Sequence, residues 1–378
     1  MPGFARLSVL LALVAPVLAP PAAAETRTYV ISWFAQASYS QESDCPSGQN
    51  PEINVQYIKN LAALGLTPAK IEELARKQEE GETTELRDLM NTRARVDGQP
   101  ANPFTNPAAV ADPKLKAMES RYAYGFNLDG KSDGGFEDPE THEHGVDHAL
   151  MRALGCVHGF RGTLQGRPTY WAWGWGQLKD SQPAWLLSVT ATDFTKDGEV
   201  TIVFDRALEH LRSNIDGSPR AEATYRVDPD PRSHNEFKTV MKNGMISLPQ
   251  PAALRLMQNP LVAPEVRLTR TQFRFKFGAD GTLTGFIGGY QPWSDLYFGF
   301  AAGGPTMEVC IVGDIPGLYY LLKRHADGEP DPKTGENTAI SVTYYFETTP
   351  VFVVAAPARE GAQSKEARPT GAPKRRTQ

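Results

Sequence analysis

At 378 residues, 40% of them hydrophobic and 22% charged, the chain is long enough to bury a sizeable core in one large domain or two ordinary ones. Its formal net charge of −5, mixed in sign along the chain, offers no basic footprint for nucleic acid. No apolar run beyond the first residues approaches the length that a membrane-crossing helix needs.

Arg6, the apolar run Leu7 to Leu18 and the small residues Ala22, Ala23 and Ala24 read as a secretory signal peptide, residues 1–24, cleaved after Ala24. The run is too short for a membrane anchor. The mature protein is therefore expected outside the cytoplasm, periplasmic or secreted, with no transmembrane segment after cleavage.

Thr28 to Phe34, rich in β-branched and aromatic residues, predicts a first strand. Ile53, Tyr57, Ile58 and Leu61 recur at helical spacing, and Gly65 stops that helix. Thr67 before Pro68 is an N-cap followed by proline at the first helical position. Leu86 to Met90 predicts another short helix. Asp97 to Pro113, rich in Pro and Asn, is a loop. Arg121 to Leu128 reads as a strand and Val146 to Leu154 as a short helix ended by Gly155.

Strands dominate from there. Lys196-Asp197-Gly198, Asn243-Gly244 and Asp280-Gly281 are hairpin signals between apolar segments. Val266 to Phe277 alternates, with Phe273, Phe275 and Phe277 on one face and Arg274 and Lys276 on the other. Ile315 to His325 predicts a helix, and Thr338 to Phe346 and Val351 to Val354 predict strands. From Pro357 the composition loses any core pattern, which predicts a disordered basic tail over 357–378 ending near Lys374-Arg375-Arg376.

These elements imply an α+β fold, mainly antiparallel β, with a helical N-terminal portion; a sandwich is one way for such a sheet to bury a face. An N-terminal strand and helical region (25–120) would precede a β-rich main domain (121–356).

Three cysteines follow the leader: Cys45, Cys156 and Cys310. Their spacing matches no zinc, haem or redox motif. Cys310 lies in the apolar run Val309-Cys310-Ile311-Val312, which reads as a buried thiol. Cys45 and Cys156 sit beside turn residues, and a disulfide between them is expected in an oxidising compartment.

Carboxylates, glycines and histidines concentrate between Asn127 and His148. Asp129, Asp133, Gly134 and Glu140 fall where an EF-hand loop has its first, fifth, sixth and twelfth residues, and Asp138 or Asp147 would complete an irregular calcium loop. Lys131 stands where a third oxygen ligand belongs. An alternative is a zinc hydrolase using His142, His144 and His148. With Asp147 they resemble the His-x-His-x-Asp-His signature of metallo-β-lactamases, with one extra residue after His144. Gly130-Lys131-Ser132-Asp133-Gly134 also fits a nucleophile elbow, which needs a strand before the serine and a helix directly after it.

Trp171, Trp173 and Trp175 alternate with Ala172 and Gly174. On a strand they would share a face and stack on a flat ligand; the other possibility is that they pack as core. Gly288 to Trp293 would supply a second pocket wall. The leading expectation is an exported binding or structural protein of the cell envelope, ordered by calcium and presenting an aromatic cleft to a carbohydrate or envelope component.

Overall fold

The alternation along Val266 to Phe277 becomes one stave of a closed barrel. The computed structural model describes residues 23–163, 167–179, 181–248, 250–257 and 265–355. Residues 1–22 of the expected leader, and the expected tail, lie outside them. The barrel strands are β1 (Glu25–Gln36), β2 (Pro183–Ala191), β3 (Gly198–His210), β4 (Asn235–Lys242), β5 (Met245–Ser247), β6 (Glu265–Phe277), β7 (Leu283–Pro292) and β8 (Asn337–Pro350). Each pairs antiparallel with its neighbours in this order, and β8 returns to β1 with Phe346 opposite Phe34.

This closure corrects the sandwich expectation. A sandwich leaves unpaired sheet edges, whereas β8 here covers the free side of β1. Bulges between Ile31 and Trp33, Pro183 and Trp185, and Thr269 and Gln272 bend the long strands around the barrel.

Eight strands leave an interior that side chains can fill. Aromatics fill much of this one. Phe273 and Phe275 stack at 4.5 Å, Phe34 and Tyr344 at 4.7 Å, and Phe275 meets Phe346 edge-on at 4.9 Å. All are buried, each contributing about 2–3 kcal/mol of transfer free energy. Phe277, at the strand end, is only partly buried and meets Phe194.

Tight turns join the strands at one end. Asn243 and Gly244 both have positive φ, as a two-residue hairpin turn demands. The other end receives the described residues between β1 and β2 and the helices. These are α1 (Ile53–Leu61), α2 (Pro68–Glu79), α3 (Thr84–Asn91), α4 (Ala149–Leu154), α5 (Thr169–Leu178), α6 (Trp293–Ala301), α7 (Gly304–Ile311) and α8 (Ile315–His325). Thr67 caps α2 by accepting from the Lys70 amide. Leu150, Leu154, Trp171, Phe300, Leu318 and Leu322 extend the barrel core into the helical layer. Helices α1–α3 bury a separate small core of Ile53, Tyr57, Leu61, Leu74, Leu86 and Met90.

Local expectations also change. Arg121 to Leu128 makes only isolated bridges, Tyr122 with Glu137 and Phe126 with Asp147. The helix expected from Val146 begins at Ala149, because His144–Val146 pairs with Phe136–Glu137 instead. Cys310 sits on α7, half-buried rather than buried. Cys45 and Cys156 are joined as a disulfide.

Candidate functional site

The segment from Asn127 to His148 is organised by its own backbone. Gly145 has φ +75°, and a Cβ there would stand 1.9 Å from the Lys131 carbonyl oxygen. Only glycine therefore lets the two arms of the loop close. Asp138 is buried. One carboxylate oxygen accepts from the amides of Glu140 and Thr141, and the other from the Gly125 amide and the Arg274 guanidinium. Asp147 accepts from the amides of Leu128 and Asp129. Asp129 accepts from the Lys131 amide and pairs with the Lys131 ammonium at 2.8 Å.

These contacts set the acidities. Burial opposes ionisation of Asp138, but the Arg274 charge and the amides outweigh it and hold the carboxyl below its usual range. Burial pushes Asp147 up. The hydrogen bonds from Lys131 pull Asp129 down.

The expected metal ligands are thus dispersed. Asp133 is exposed beside Gly134, and Glu140 reaches outward to within 4.0 Å of Lys276. Among the described residues, no three His, Cys, Asp or Glu side chains converge as a metal would require. The three histidines separate as well. His142 and His144 are exposed beside Glu137. His148 is buried, with Nδ1 3.0 Å from the Tyr124 carbonyl, and burial pushes its pKa down to about 3. Ser132 is exposed in an irregular stretch just before the bend 133–135, and the next helix, α4, begins only at Ala149, so it occupies no nucleophile elbow.

Secondary structure corrects the strand expected for the tryptophans, while the core alternative holds for Trp171 and Trp175. Thr169–Leu178 is helix, not strand. Trp171 and Trp175 lie one turn apart and both enter the core. Trp171 packs on Phe160 and Tyr170, and the Trp175 indole donates to the Ser32 carbonyl at 2.8 Å. The side chain of Trp173 lies outside the description. Tyr290 and Gln291, from the expected second pocket wall, are buried.

A different aromatic surface emerges on the outer wall of β7 and β8. Tyr39 meets Tyr122 at 6.2 Å and Tyr124 at 5.6 Å; Tyr124 stacks on Phe286 at 5.1 Å, and Phe286 meets Tyr345 at 5.4 Å. Phe286 is buried beneath the series, while Tyr39, Tyr122, Tyr124 and Tyr345 keep part of their surface in solvent. Hydrogen-bonding groups border the row. Arg121 lies 5.3 Å over Tyr122, Gln41 donates to the Tyr39 hydroxyl, and the Arg167–Glu347 pair, 2.7 Å apart, lies at the Tyr345 end. Burial pushes the phenols of Tyr124 and Tyr345 up to about 12, so both remain neutral donors at physiological pH.

No family model, curated protein or solved structure matches the chain. The site is therefore read from its own chemistry. Partly exposed aromatic rings with polar groups at their margin suit stacking on a flat or ring-shaped ligand.

Sequence reasoning missed these tyrosines because three separate segments contribute them. The available signals were local: the alternation Arg121-Tyr122-Ala123-Tyr124, and adjacent Tyr344-Tyr345, one ring inside the barrel and one outside.

Proposed function

We propose that the chain is an extracytoplasmic binding protein whose outer barrel wall holds a carbohydrate on Tyr39, Tyr122, Tyr124 and Tyr345. The observation carrying this reading is the continuous series of ring contacts, part-exposed and bordered by hydrogen-bonding groups. Sugar rings offer apolar C–H faces to stack and hydroxyls to bond, which matches that combination. The Cys45–Cys156 disulfide supports an oxidising compartment.

The test is binding of the full-length protein to a panel of immobilised neutral oligosaccharides, followed by calorimetry on any glycan captured. Tyr39→Ala and Tyr124→Ala should each weaken binding about tenfold or more, as removal of an interface aromatic does. Thr190→Ala, on a distant strand, should not. Absence of capture, or variants that bind like the wild type, would overturn the reading.

A further inference from the structure

We propose that Arg93, Glu308 and Asp314 form a proton-operated latch that fastens the α1–α3 unit to the helices capping the barrel. The apolar core of α1–α3 is separate from that of the barrel. A network of buried polar groups spans the junction between them. Arg93, just after α3, places its guanidinium 3.2 Å from Glu308 on α7 and 3.0 Å from Asp314, the N-cap of α8. From α1, Tyr57 donates its hydroxyl to Glu308, Asn60 donates to Asp314 at 2.7 Å, and Gln56 accepts from the Asp314 amide. The amides of Ile315 and Gly317 donate to Glu308 and Asp314, respectively. Arg93, Glu308 and Asp314 are all essentially inaccessible to solvent.

One cation here faces two carboxylates. With both ionised, the network holds an uncompensated negative charge away from water, which is costly. A proton on Glu308 removes that charge. The groups facing Glu308 are Tyr57 from α1, Arg93 after α3, Asp314 at the start of α8, and Tyr297 from α6 at longer range. Burial, and then the Asp314 charge, outweigh Arg93 and push the Glu308 carboxyl up to about 7. A carboxyl raised on folding stabilises fully below its unfolded value, and that contribution fades as pH rises through the folded value. The latch therefore holds in mild acid and loosens above neutrality.

Amide hydrogen exchange on the full-length protein tests this. After correction for intrinsic exchange, protection of residues 53–92 should fall about tenfold from about pH 5 to about pH 9, while amides of β6 and β7 hold theirs. Glu308→Gln, neutral at every pH, should remove that dependence. A flat wild-type profile, a parallel loss in β6, or an unchanged dependence in Glu308→Gln would each overturn the latch. Should the variant fail to fold, the wild-type profile alone decides between the first two outcomes and support.

Discussion

Asp138 and Arg274 meet at 2.9 Å and tie the acidic loop to the outer wall of β6. The arginine also lies over Phe126 and Phe286, at 5.4 and 5.1 Å. Asp138→Ala would leave that cation without its counter-charge and three amides without their acceptor. The expected cost is about 3 kcal/mol by chemical denaturation. A variant within about 0.5 kcal/mol of the wild type would show that the pair does not hold the loop.

The same loop bears on calcium. Asp138 is committed to Arg274 and amides, Asp147 to amides, and Asp129 to Lys131. Gathering them around a cation would break those bonds first. Melting curves in calcium and in chelator are therefore expected to coincide. A saturable rise in melting temperature with calcium would restore the loop as a metal site.

His148 makes a pH prediction of known sign. Its buried ring titrates near about 3, well below the roughly 6.5 of an unfolded histidine. The unfolded chain takes up the proton first, so this residue costs stability as pH falls from 6.5 towards 3. Denaturation midpoints of the wild type should drop more steeply between about pH 7 and about pH 4.5 than those of His148→Gln. Parallel profiles would mean that the imidazole is not kept neutral by burial.

The disulfide closes a loop whose ends are 111 residues apart in sequence. Replacing both Cys45 and Cys156 with serine should cost about 4 kcal/mol, in keeping with a crosslink of that span. If the double variant unfolds at the same denaturant concentration as the wild type, the remaining contacts of residues 37–182 suffice without the bridge.

Much of the fold was legible locally. Alternation marked β6, the Asn-Gly turn joined β4 to β5, and Thr67-Pro68 set the start of α2, because each depends on neighbours within a few residues. Turn residues beside Cys45 and Cys156 made them the preferred pair, but their connectivity was fixed only by the structure, where they are joined.

The remainder was decided by tertiary structure. Whether the sheet closes depends on β8 reaching β1, a pairing between opposite ends of the sequence that no local pattern encodes. The tryptophans at 171, 173 and 175 fit a strand by alternation but fold as a helix, with Trp171 and Trp175 drawn into the core. Carboxylate clustering could not disclose that Arg274, far along the chain, would claim Asp138. The tyrosine surface likewise exists only where separate segments cross the barrel wall. Short-range sterics and turn chemistry are written in neighbouring residues; closure, charge pairing and surface composition depend on which distant segments burial brings together.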